Sequence, residues 1–102
     1  MPPKPIRVSL SAEAQADADA VVDWYIGEGA LIAAEDFTEE LDGALNLLNQ
    51  FAALGESGAH NTRTLPLHGF PYSLIYRLQD NTVRVISVAH HSRRPGYWVG
   101  RR

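Results

Sequence analysis

Two runs of alternating residues flank Asp80-Asn81, and they constrain the fold of this chain more than any other segment. Tyr72, Leu74, Tyr76 and Leu78 fall on one side of an extended backbone, with Ser73, Ile75 and Arg77 on the other. Val83, Val85 and Ser87 alternate in the same way with Arg84, Ile86 and Val88. Asp and Asn both tolerate positive φ, so Asp80-Asn81 predicts a two-residue hairpin loop. A loop of that length sets the register: Gln79 opposite Thr82, Leu78 opposite Val83, Arg77 opposite Arg84. Two guanidinium groups directly opposed are unfavourable in a sheet. Either they splay apart into water, or the turn is longer, or an anion sits between them. A phosphate or the carboxylates of a partner peptide would serve.

The preceding residues supply what such a hairpin packs against. Ile6, Val8 and Leu10 alternate with Arg7 and Ser9, as in a short strand, and Pro2, Pro3 and Pro5 keep the chain before them extended and frayed. Ser11 is placed to cap a helix, and Glu13 lies in the first turn where the dipole favours an acid. Ala14, Ala18, Val21, Val22 and Tyr25 recur at helical spacing until Gly27 and Gly29 stop the run. A second helix is predicted over residues 31–54, with Phe37, Leu41, Leu45, Leu48 and Phe51 as its apolar stripe. Residues 55–61 read as a Gly- and Ser-containing connection. Leu65 and Leu67 alternate around Pro66, which argues for an edge position or irregular pairing. The predicted order is β-α-α-β-β-β, an α+β domain over residues 1–102 with a helical hairpin on a small, mostly antiparallel sheet.

Charge divides the chain. Residues 11–56 hold eleven acids and no Lys or Arg, whereas residues 63–102 hold seven arginines and one acid, Asp80. The net charge of −3 averages these two surfaces away. There is no cysteine, which removes disulfides, thiolate metal sites and Cys nucleophiles. No apolar run reaches the roughly 20 residues of a membrane span, and the N-terminus lacks a secretory h-region. A cytoplasmic protein without membrane contact is expected.

The C-terminal residues hold the chemistry-bearing side chains. His90 and His91 are adjacent, so a strand points them to opposite faces and they cannot share one metal ion. No metal or other cofactor is expected. His91, Arg93 and Tyr97 could supply the proton acceptor, cation and proton donor that RNA cleavage needs. Alternatively, Tyr97 and Trp98 anchor the tail on the sheet and the arginines are solvated.

Taken together, LSAEAQADADAVVDWYI, Phe37 and Leu41 in the second helix, R63-T-L-P-L, F70-P-Y-S-L-I-Y-R, V85-I-S-V-A-H-H and R93-R-P-G-Y-W resemble the RelE/ParE superfamily of type II toxin–antitoxin toxins. The likeness covers nearly the whole chain and is greater to the ParE, plasmid-stabilisation branch. The resemblance implies a growth-inhibiting toxin neutralised by a cognate antitoxin whose C-terminal segment orders on its surface. The ParE-like branch poisons DNA gyrase. The RelE-like branch cleaves mRNA on the ribosome with Lys and Arg residues and a C-terminal Tyr or His; under that alternative His91, Arg93 and Tyr97 are the catalytic candidates. This chain lacks the lysines of the nuclease pattern near the end of the second helix, where Arg63 is the one cation. A third reading is an interaction module acting only within the antitoxin complex. The residues expected to meet a partner or anion are Arg63, Arg77, Arg84, Arg93, Arg94, Tyr97 and Trp98.

Overall fold

The computed structural model describes residues 5–102, so Pro2 and Pro3 lie outside the described residues. Five strands form one sheet in the order β1-β5-β4-β3-β2. They are β1 (Arg7–Leu10), β2 (Glu56–Ser57), β3 (Arg63–Pro66), β4 (Tyr72–Gln79) and β5 (Thr82–His90). Helices α1 (Ala12–Gly27) and α2 (Leu31–Gln50) follow β1. All strand pairs are antiparallel except β1 with β5, which run parallel. Among the described residues no helix is long and apolar enough to cross a membrane.

The hairpin forms with the expected register. Asp80 (φ 50°) and Asn81 (φ 63°) are both left-handed, and Arg77 opposes Arg84. Ser11 ends one element and starts the next. Its N–H donates to Val85 O (2.9 Å) as the final rung of β1 on β5, and its Oγ accepts from Ala14 N (3.0 Å). Gly29 takes φ +75° where the chain leaves α1, which a residue with a Cβ would adopt only with strain. Ala14, Ala18 and Val21 of α1 and Phe37, Leu41, Ala44 and Leu48 of α2 are buried against Leu74, Tyr76, Val83, Val85 and Val88 of the sheet. Phe37 meets Phe70 and Tyr72 edge-on at 5.4 and 5.7 Å.

Three expectations are corrected by tertiary contacts. First, strict alternation on β5 fails: Tyr76 opposes Val85 and Ile75 opposes Ser87, leaving Ile86 as a bulge. The extra residue inverts the parity beyond it. Val88 therefore joins Val83 and Val85 on the helix face, while Ile86 and Ala89 pack with Ile75 on the outer face. Second, α2 stops at Gln50, not residue 54, and is about 30 Å long at 1.5 Å per residue. Tyr76 Oη donates to Ala52 O and accepts from Gly55 N, both at 2.8 Å, and Arg63 Nη1 donates to Ala53 O (3.1 Å) and Gly55 O (2.8 Å). These bonds draw residues 52–55 onto the sheet, and Phe51 is left 59% exposed instead of completing the apolar stripe. Third, the connection at residues 55–61 contains β2, which pairs with β3 at Arg63 and Thr64. Pro66 lies beyond the reach of β2, where its missing N–H costs no ladder bond.

Gly55 is buried because the Tyr76 ring lies on it. A Cβ there would sit 2.7 Å from a ring carbon and 2.8 Å from the hydroxyl. Gly55→Ala is expected to cost roughly 2–3 kcal/mol, through crowding and loss of the Tyr76 hydrogen bonds. In a chain of this size that lowers Tm by about 10–20 °C. Calorimetry checks it, and an unchanged Tm would contradict the tether.

Candidate functional site

β1 is four residues long and β5 is nine, so β5 outruns its neighbour and exposes an edge. Unpaired backbone groups there need partners. Asp17, on the buried side of α1, supplies one: its Oδ2 accepts from Val88 N at 3.0 Å. The same oxygen accepts from Ser87 Oγ (3.3 Å) and from Arg101 Nη1 (2.6 Å). Arg101 Nη1 also donates to Ile86 O (3.1 Å), and its Nε pairs with Glu13 at 3.2 Å. The hydrogen bond to Asp17 raises the Arg101 pKa, against the opposing effect of burial, so this cation stays charged.

The C-terminal residues are thereby fastened across the outer face. Tyr97 and Trp98 pack on Ile75, Ile86 and Ala89, which makes the anchoring role visible. The Tyr97 hydroxyl lies 2.7 Å from Ser87 Oγ. Since Ser87 directs its hydrogen to Asp17, Tyr97 is the donor in that pair. Arg93 and Arg101 stand 4.3 and 5.3 Å from the centre of the Tyr97 ring. Arg77 completes the clasp, with Nη1 donating to Arg101 O (2.6 Å) and Nε to His60 O (3.3 Å).

The expected site residues are divided by this arrangement. Arg63 is committed to the turn after α2. Arg77 and Arg84 are opposed as the loop length requires, but their guanidinium groups diverge: Arg77 reaches the tail, and Arg84 Nη1 reaches Ser9 Oγ and Leu10 O, both at 3.2 Å. Arg94 is exposed. The two histidines do face opposite ways. His91 Nε2 lies 2.9 Å from Ser73 Oγ on the outer face, away from the helices. His90, not His91, shares a cleft of about 350 Å³ with Arg93 and Tyr97, together with Asp17, Trp24 and Tyr72. The bulge at Ile86 decides this, since without its change of parity His91, not His90, would share the face of Tyr72. Tyr72 has a raised pKa, from burial and then the nearby Tyr25 hydroxyl.

Asp17, Ser87 and Arg101 were not among the expected site residues. One signal was present for Asp17: it interrupts an otherwise apolar face of Ala14, Ala18 and Val21. A second, apolar cleft of about 470 Å³ lies on the helical hairpin, lined by Val22, Ile26, Leu31 and Ala34 and rimmed by Glu35 and Glu39.

Comparison with known proteins agrees with this architecture. Residues 8–95 match the family model described as the ParE toxin of the type II toxin–antitoxin system parDE. The match ends before Tyr97 and Arg101. A solved structure of a chromosomal ParDE toxin–antitoxin system from P. aeruginosa superposes with a TM-score of 0.72 and 22% identity, covering 83% of this chain and 95% of that one. At that identity the likeness concerns the fold. No curated protein matches the chain.

If Asp17 closes the β5 edge, Asp17→Ala should free the Val88 amide and loosen the tail together. The expected loss of stability is roughly 1.5–3 kcal/mol, the range for hydrogen bonds to a charged group. Val88 amide exchange, followed by NMR, should quicken by at least about tenfold. Unaltered exchange would show that the edge is closed by something else.

Proposed function

Because the chain belongs to the ParE toxin family of type II toxin–antitoxin systems, we propose that it stops growth by poisoning DNA gyrase in the cytoplasm and is neutralised by direct binding of its cognate antitoxin. The observation that supports gyrase over mRNA is the commitment of the Tyr97 hydroxyl. It donates to Ser87 within the Asp17–Arg101 cluster, and its ring carries Arg93. A general acid needs a proton free to give, and a general base a free acceptor near the proton it removes. His91 is turned to Ser73 on the outer face, whereas Arg93 and Tyr97 line the cleft with His90. The chain also has a single lysine, Lys4, and so lacks the lysines of the nuclease pattern.

For the antitoxin, the helical hairpin is the favoured surface. Ile26 and Leu31, which line the apolar cleft, and Trp24 and Ile32 on the same two helices are each at least half exposed. An amphipathic segment that orders on binding needs such apolar area to offset its ordering entropy. Glu35 and Glu39 at the rim favour basic residues flanking the segment's apolar face.

Purified toxin added to gyrase, ATP and supercoiled plasmid is expected to accumulate protein-linked cleaved DNA, while ribosome-bound mRNA stays intact. Codon-specific mRNA cuts with no effect on gyrase would establish the nuclease reading instead. Normal growth with abundant folded toxin would establish the interaction module. Leu31→Asp is expected to weaken binding of the product of the adjacent reading frame by about 30-fold or more, as for a central apolar anchor. Isothermal titration calorimetry checks it, and an unchanged Kd would move the antitoxin off the hairpin.

A further inference from the structure

We propose that the outer face of the sheet, at its β4–β5 turn end, docks the phosphate backbone of duplex DNA. The site goes beyond the gyrase reading and is tested without gyrase. The β1–β5 and β4–β5 registers align Arg7 with Thr82 and Gln79, and Ser9 with Arg84 and Arg77. Val8, Leu10, Val83 and Val85 pack into the core, so Arg7 and Arg84 project from the opposite, outer side. Arg102 joins Arg77 and Arg84 around a cleft of about 440 Å³ floored by Ile86. Strands lie roughly 4.8 Å apart, so Arg7 on β1, Arg84 on β5 and Arg102, which lies beside Arg77 on the β4 side, span about 10 Å. One DNA strand presents a phosphate about every 3.4 Å along the helix axis, so that span meets about three charges.

The donors have unequal freedom. Arg77 is spent on backbone carbonyls of the tail and of His60. Arg84 uses only Nη1, leaving Nε and Nη2, and Arg7 and Arg102 are exposed and make no side-chain hydrogen bond among the described residues. Arg7, Arg84 and Arg102 are therefore available, with Asp80 between them at the turn.

The surroundings select the polyanion. A peptide that orders on binding needs apolar surface, and the large exposed apolar side chains are on the helices and the turn after them, with Val99 the exception. Single-stranded nucleic acid needs aromatic platforms, and no aromatic residue lines this cleft. Cations without apolar or stacking surface suit a duplex backbone. Net charge does not forbid it. Glu35, Asp36, Glu39 and Asp42 lie on α2, across the sheet. Glu13 and Asp17 are paired with Arg101.

The test is fluorescence anisotropy of the full chain with a labelled 20-base-pair duplex. With three phosphates neutralised, log K should fall with log salt at a slope near −2.7, or about 40-fold between 50 and 200 mM. Arg7→Gln, Arg84→Gln and Arg102→Gln should each reduce that slope by about 1. Circular dichroism verifies folding, and Arg102, exposed and outside every strand and helix, keeps the test valid should Arg84→Gln perturb β1. Absence of binding at 50 mM salt with 100 μM protein, or slopes unmoved by all three variants, overturns the proposal. Tighter binding of a single strand of equal length, or displacement of the duplex by poly-glutamate at lower charge concentration, overturns the assignment to duplex DNA.

Discussion

One carboxylate joins the layers of this protein. Asp17 sits on α1, yet its hydrogen bonds go to the β5 backbone, to Ser87 and to Arg101 of the tail. A partly buried acid is costly unless paired and fully hydrogen-bonded, and Asp17 meets that condition by closing the edge that short β1 leaves open. The same bonds explain why the tail lies across the outer face: Arg101 cannot reach Asp17 unless residues 97–98 cross Ile75, Ile86 and Ala89. These bonds tie helix, sheet edge and tail together. Arg77 adds the counterpart from β4 by holding the tail's carbonyls.

That arrangement separates two surfaces of opposite character. The helical hairpin is acidic and carries most of the exposed large apolar side chains. The outer sheet face is basic, with its apolar centre already covered by Tyr97 and Trp98. Partners that gain from burying apolar area and partners that carry phosphate would therefore use different faces. An antitoxin on the hairpin would leave the arginine face open unless its segment extends around the sheet edge.

Much of this was legible from local rules. The Asp80-Asn81 turn set the register, and Ser11 marked the change from strand to helix, because both depend on a few adjacent residues. The end of α2 was not legible. Phe51 continues the helical spacing, and only Tyr76 and Arg63, more than ten residues further on, draw the chain away. The bulge was equally hidden, since Ile86 and Ser87 both fit an alternating strand. Its effect reached the site, exchanging His91 for His90 beside Tyr72 and Arg93. Arg77 and Arg84 were recognised as opposed, yet their side-chain directions depend on β1 and the tail, which are distant in sequence.

Under the proposed function Tyr97 and His91 serve structure, and toxicity does not pass through proton transfer by either. Growth after induction of the Tyr97→Phe, His91→Ala double variant tests this most directly. Phenylalanine keeps the ring that packs on Ile86 and removes only the hydroxyl. The double variant is expected to arrest growth as the unaltered chain does at equal folded protein. Restored growth with a folded double variant would contradict it and return the nuclease mechanism to first place.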